Sequence, residues 1–284
     1  MFFRNVTILG VGLIGASLAL ALKRKGLAGN IVGYGRTPGN LSRAQERGII
    51  DSFECDAAKA CENAGLIVFA TPVGAFVEVA RAIAPALREK VIITDVGSVK
   101  GDLVGDMERL LAPCGLFVGA HPIAGSDRSG IDSASAHLFE QTRCVVTPTP
   151  ATDSEALDEI VALWRTIGAV VTIVDPGEHD RIYAAVSHLP HLLAFELVNA
   201  VEDINSSYLT FAGQGFKDVT RIASSQPELW RDICRYNRQN LLAYLTVLKK
   251  NLDRVSRYLE QDDSKSLLMD FERARALRES VGPD

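Results

Sequence analysis

Cysteine is scarce in this chain: Cys55, Cys61, Cys114, Cys144 and Cys234 are the five among 284 residues. They are scattered, odd in number and form no CxxC pair. That spacing excludes a disulfide framework and a zinc site and predicts buried thiols in a reducing compartment. No run of about 18 uninterrupted apolar residues occurs, so no membrane span is expected. Long runs of one charge are missing too. The net charge is −5, whereas a general binder of nucleic-acid backbone needs a basic face, so no nucleic-acid partner is expected. The opening segment Met1–Val6 lacks a charged leader, an apolar signal core and a small-residue cleavage site, which points to a cytoplasmic protein. Internal repeats and low-complexity linkers are also lacking.

What is present suits a globular protein of one large or two ordinary domains, with 47% hydrophobic and 23% charged residues. Short apolar runs at Val6–Leu9, Ile31–Tyr34, Leu66–Ala70, Val91–Thr94, Leu116–Val118, Cys144–Thr147 and Val170–Val174 read as strands. Between most of them lie segments with apolar residues at helical spacing, such as Ile14–Lys25, Ala75–Leu87, Asp102–Leu111 and Ser154–Ile167. Continuous apolar strands alternating with helices predict a doubly wound α/β domain, a Rossmann-like parallel sheet covered on both faces. The pattern changes at Asp175-Pro-Gly177, after which only helical periods occur. The expected organisation is therefore a dinucleotide-binding domain over 1–175 and an all-helical substrate and dimerisation domain over 176–284. Pro190 should bend the first long helix of the second part, because proline removes a backbone donor and clashes with the preceding turn. The many apolar residues of that part call for more burial than a thin helical layer offers, and a homodimer is expected.

Gly10-Val-Gly12-Leu13-Ile14-Gly15 follows the first strand and opens the first helix. In such a turn the first glycine permits the tight bend, the second lets a pyrophosphate approach the backbone, and the third lets helix and strand pack closely. The helix N-terminus adds unpaired N–H groups and a positive dipole end. An NAD site usually places a carboxylate after the second strand, about 20 residues on, for the ribose 2′-hydroxyl. Here Arg36 and Thr37 stand at that place, where a guanidinium can pair with a 2′-phosphate. The cofactor expected is thus NADP in preference to NAD. Thr71-Pro72 follows the third expected strand, Asp95-Val-Gly-Ser98-Val-Lys100 the next, and His121 the one after, within GAHPIAGSD (119–127). In a parallel sheet these ends line one crevice. His121 is the natural base candidate at neutral pH. Ser187 and His191 are four apart and share a helical face. Arg221 can grip a carboxylate with two parallel bonds, which Lys217 cannot. His188 is expected to pack, Trp230 and Tyr236 to serve as core or interface aromatics, and His137 and His179 to lie on the surface. The HxxH pair His188/His191 has no third ligand at suggestive spacing, so no metal is expected.

With GVGLIG, DVGSVKG, HPIAGSD, SHLPH and GFKDVTRIA followed by WRDI in this order, the sequence resembles the prephenate/arogenate (cyclohexadienyl) dehydrogenases of tyrosine biosynthesis across nearly its whole length. The resemblance implies a Rossmann domain with a helical dimerisation domain. It also implies NAD(P)-dependent oxidative decarboxylation of a small molecule, prephenate or arogenate. On that match His121 polarises the substrate hydroxyl, Ser98 hydrogen-bonds to it, and Ser187 and His191 meet the ring and its polar groups. Arg221 is the candidate for a substrate carboxylate; Lys217 is a weaker one that could instead serve packing or pair with Asp218, and Asp127 could favour the ammonium of arogenate or equally cap or pair with Arg128. Some members carry a chorismate mutase or a regulatory domain, and neither is expected in this chain. Two other readings share the glycine turn. A β-hydroxyacid-type dehydrogenase would use a helical-domain lysine, here Lys217, as its acid/base, and a non-catalytic NADP sensor would bind without turnover.

Overall fold

The computed structural model describes residues 2–112, 114–124 and 130–281. Its elements, in chain order, begin with β1 (Phe3–Leu9), α1 (Leu13–Arg24), β2 (Ala28–Tyr34), α2 (Pro38–Glu46), β3 (Ser52–Glu54), α3 (Ala57–Cys61) and β4 (Leu66–Phe69). They continue with α4 (Phe76–Ile83), β5 (Val91–Asp95), α5 (Gly101–Leu111), β6 (Gly115–Pro122), β7 (Arg143–Thr147), α6 (Ser154–Thr166) and β8 (Val170–Ile173). Helices α7 (Pro176–Tyr183), α8 (Leu189–Asn205), α9 (Gln214–Thr220), α10 (Pro227–Tyr236), α11 (Arg238–Glu260) and α12 (Ser264–Ser280) follow. All seven expected strands form. β3 is additional, and its three residues, Ser-Phe-Glu, are too short and polar to read as a strand.

The eight strands make one sheet in the order β3-β2-β1-β4-β5-β6-β7-β8. Neighbours are parallel throughout except for β6 and β7, which pair antiparallel with His121 opposite Val145. The parallel arrangement is therefore broken at one junction. The order reverses at β1, which lies between β2 and β4 and so creates the crevice where such sheets bind ligands.

Both faces of the sheet are covered, as continuous apolar strands require. In β4, Leu66 and Val68 join one buried cluster with Leu18 and Leu22 of α1 and Ile160 and Trp164 of α6. The alternate residues Ile67 and Phe69 join the other, with Phe76 and Ile83 of α4 and Leu103 and Met107 of α5. This is the period of two expected of a strand buried on both sides. Ile233 of α10 belongs to the second cluster, so part of the helical half shares the core of the sheet.

The described chain divides into two compact units, Met1–Arg238 and Gln239–Asp284. In the second, Asp263 caps α12 by accepting from the Ser266 N–H at 3.0 Å, and Arg254 pairs with Asp270 at 3.0 Å. Just before Pro190, where a bend is expected, a π-helical turn, Ala184–His188, separates α7 from α8. Insertion of a wider turn just before proline relieves the ring's clash with the preceding carbonyls. Pro176–Phe211 forms a helical run that, by length and composition alone, could cross a membrane, a property shared by core helices of soluble proteins. The cysteines depart from the expectation of uniform burial. Cys61 and Cys144 are buried, Cys114 and Cys234 half-buried, and Cys55 is exposed on the polar segment after β3.

Candidate active site

Gly10 has φ of +110°, and a Cβ there would lie 2.6 Å from the Ala70 carbonyl at the end of β4. Gly15 lies so close to the Gly10 carbonyl that any Cβ would collide with it. These two glycines seat α1 against β1 and bring the turn to the switch point of the sheet. A Cβ on Gly12, by contrast, would meet nothing within 4 Å. The space over Gly12, at the N-cap of α1 and with Leu13 and Ile14 in the first turn, suits a pyrophosphate on free N–H groups. Beside it the Thr71 hydroxyl is buried without a partner, and Pro72 is exposed. A buried hydroxyl without a partner next to the glycine turn is a group that a bound phosphate could satisfy. Arg36 and Thr37 are exposed at the end of β2, and Thr37 is the N-cap of α2 with no side-chain cap bond.

The loop after β5 is closed by a buried ion pair. Lys100 Nζ meets Asp95 Oδ2, and both side chains are 1% exposed. The ammonium also donates to the Gly97 carbonyl at 2.9 Å and the Val99 carbonyl at 3.2 Å. Asp95 accepts from the Gly97 N–H at 2.8 Å and, across to β6, from the Ala120 N–H at 2.9 Å. The pair therefore holds half-buried Ser98 between its two anchors and ties that loop to the residue preceding His121.

His121 lies inside β6, not after a strand ending at Val118, because pairing with β7 extends β6 to Pro122. Its Nδ1 is 2.9 Å from Nε2 of His179, and His179 Nδ1 is 2.8 Å from Asp180 Oδ1. His179 is fully buried, which corrects its expected place on the surface. No periodicity signalled this, since α7 is a short polar-looking helix whose His179–Asp180 side turns to the sheet. His137, in contrast, is exposed and paired with Glu140. Burial above all, then the nearby His179, Lys100 and His188, hold the His121 imidazole well below its usual range. It is thus neutral near pH 7 and able to accept a proton.

On the helical side, His188 is buried and its Nδ1 lies 3.0 Å from Asn237 Nδ2, which also donates to the Asp180 carbonyl at 2.8 Å. The Ser98 backbone faces the His188 ring and raises its pKa against a stronger lowering by burial. Ser187 and His191 are half-buried, with His191 Nδ1 2.9 Å from the Ser187 carbonyl. The His191 ring stacks on Trp230 at 3.6 Å between centroids and 18° between planes, and Trp230 also packs against the second core cluster. Arg221 is exposed and close enough for its charge to lower the His191 pKa, after the larger effects of burial and of the Ser187 carbonyl. Lys217 is exposed on α9, where Gln214 pairs with Asp218 at 2.7 Å. Asp127 lies outside the described residues. Among the described residues, no three His, Cys, Asp or Glu side chains are grouped to hold a metal.

Two family patterns match this chain. One, described as prephenate dehydrogenase, nucleotide-binding domain, covers residues 18–173, and the other, prephenate dehydrogenase, dimerization domain, covers residues 175–273. The chain belongs to the prephenate dehydrogenase family. Prephenate dehydrogenase of Bacillus subtilis is 32% identical over 98% of the chain and 76% of that protein. Cyclohexadienyl dehydrogenase of Zymomonas mobilis is 32% identical over 99% of the chain and 97% of that protein. A crystal structure of Aquifex aeolicus prephenate dehydrogenase with hydroxyphenyl propionate and NAD+ matches with a TM-score of 0.94 at 35% identity, covering 99% of each chain. The chain is thus an NAD(P)-dependent dehydrogenase with a Rossmann-like nucleotide-binding part and a helical part, acting on a small molecule. The first family pattern begins inside α1, so the glycine turn stands on its own geometry.

Proposed function

We propose that this enzyme catalyses oxidative decarboxylation of prephenate to 4-hydroxyphenylpyruvate, or of arogenate to tyrosine. The observation that carries this reading is His121, buried and neutral, in the strand that follows the Ser98 loop on the sheet whose switch point holds the glycine turn. The bound nicotinamide would accept the hydride from the ring carbinol carbon. His121 takes the hydroxyl proton as the carbonyl forms. The bond from the ring to its carboxylate then breaks, carbon dioxide leaves, and the electron pair runs through the ring to the oxygen, giving a phenolate that takes the proton back from His121 to become the phenol. The protein's work is to position, deprotonate and neutralise. Ser98 serves as the hydrogen-bonding partner of the hydroxyl. Arg221 binds a substrate carboxylate, with Lys217 in support, and Ser187 and His191 meet the ring, His191 being held flat by Trp230. Asp127 is retained as a candidate selector of the ammonium group.

Gly10, Gly12, Leu13, Ile14 and Gly15 bind the pyrophosphate, and Thr71 and Pro72 border it. Arg36 and the Thr37 hydroxyl favour NADP, since no carboxylate at the end of β2 repels a 2′-phosphate. The exposed apolar side chains of the helical part, among them Ile204, Phe211, Leu242 and Leu252, support a homodimer.

The test is a spectrophotometric assay of reduced nicotinamide with prephenate and arogenate, each with NAD and NADP. Turnover of one of the two substrates is expected, with the higher kcat/KM on NADP. Loss of that NADP preference is expected in Arg36→Ala, by about tenfold for one charge-assisted bond. His121→Asn should lose most of kcat, and Arg221→Ala should raise KM more than it lowers kcat. Absence of turnover with both substrates, or full kcat in His121→Asn, refutes the reading.

A further inference from the structure

The buried polar groups behind His121 form a chain that the proposed reaction does not itself require. His121 Nδ1 meets His179 Nε2 at 2.9 Å, and His179 Nδ1 meets Asp180 Oδ1 at 2.8 Å. The same Asp180 oxygen accepts from the Lys100 backbone N–H at 2.8 Å. That oxygen sits at the start of α5, where Gly101 approaches it so closely that a Cβ would lie 2.6 Å from the other carboxyl oxygen. A carboxylate oxygen already accepting from a backbone N–H accepts from the imidazole as well, so the His179 proton on this line belongs to Nδ1. The neutral His179 ring then presents a lone pair at Nε2. Only a proton on His121 Nδ1 can complete the second bond, because the opposite tautomer would set two lone pairs against each other at 2.9 Å between two buried rings. His179 is neutral for the reason His121 is, burial. Tyr183 packs against both rings, 5.0 Å from that of His121 and 4.6 Å from that of His179, and fixes their planes.

We propose that His179 and Asp180 are a positioning dyad that locks His121 in its Nδ1–H tautomer and leaves Nε2 as the nitrogen that accepts the substrate proton. The proposal rests on the reading of His121 as the base. The arrangement resembles in logic a serine-hydrolase triad, in which a carboxylate orients the imidazole without itself becoming protonated. Here a second imidazole spans the gap between carboxylate and base. When His121 takes up a proton, its Nδ1–H···Nε2 bond becomes charge-assisted. The Asp180 charge behind His179 then offsets the cation in a site where Lys100 opposes it.

The experiment is imidazole 15N NMR on the full chain with bound NADP, with the His121 signals identified by their loss in His121→Asn. In the wild-type protein His121 is expected as Nδ1–H, with Nε2 unprotonated. His179→Phe fills the space but offers no acceptor. It should move His121 to Nε2–H and lower kcat roughly 10- to 1,000-fold with little change in KM. His179→Gln, whose amide oxygen can stand in for Nε2, should recover part of both. A wild-type His121 protonated at Nε2 overturns the proposal even if neither His179 variant folds. So does a folded His179→Phe with unchanged tautomer and kcat. Full kcat in His121→Asn would instead remove the catalytic reading, while the NMR result would still judge the dyad.

Discussion

Three imidazoles, His121, His179 and His188, are buried close together, and burial is the first cause of a lowered pKa in each. The groups facing them are Lys100, Asp95, Asp180, Tyr183 and Asn237. In the unfolded chain each takes a proton near pH 6.5, whereas folded His188 does so only at about 4. Between those values the unfolded state binds more protons, so stability is fully present above about pH 6.5 and is lost as pH falls towards 4. Thermal melts should give a lower Tm at pH 5 than at pH 7, with a smaller difference in His188→Asn. A Tm independent of pH over that range would contradict the burial of these rings. The Asp95–Lys100 pair poses a different question of magnitude. Lys100→Met leaves the Asp95 carboxylate buried without its counter-ion and should cost about 3–5 kcal/mol in denaturant unfolding. An exposed pair such as Arg109–Asp106, with Arg109 78% exposed, contributes less than about 1 kcal/mol. A Lys100→Met loss no larger than that of Arg109→Met would show that the pair contributes little.

Among the elements, α1 is the one whose position decides cofactor binding. Its N-terminus reaches the switch point only because Gly15 lets the helix lie against the Gly10 carbonyl. Gly15→Ala should push α1 off β1, raise the dinucleotide Kd by roughly tenfold or more and lower Tm. Isothermal titration of the variant with NADP and NAD reads this directly, and unchanged affinity would deny α1 that role. The glycine turn was legible because strand, turn and helix agree locally. β6 was less so. Its extension to Pro122 depends on a partner strand more than twenty residues away, and local propensity contains no such term. For the same reason His179 read as a surface residue. A short helix beginning Pro176-Gly-Glu-His looks polar on every side until Lys100 and His121 are found facing it.

At the scale of the whole molecule, the helices beyond residue 176 leave large apolar side chains exposed, including Ile204 at 72% and Phe211 at 82%. Only 17% of the apolar window within Pro176–Phe211 is buried in a single chain. Glu196, Glu202 and Asp203 on the same helix would be costly in a bilayer core, which favours a second copy over lipid as the cover. Sedimentation at micromolar concentration should give a dimer with a Tm that rises with protein concentration. A monomer under those conditions would refute it.

The sequence by itself determined the strand and helix alternation, the glycine turn and the kinds of residue available for chemistry, because these depend on short-range period and spacing. It also sufficed for the family, whose motifs are contiguous. Only the tertiary structure decided the antiparallel entry of β7, the burial of His179 and Asp180 and the stacking of His191 on Trp230. Each joins segments dozens of residues apart, and such pairings follow from how the layers pack around one core, not from the local pattern of any one of them.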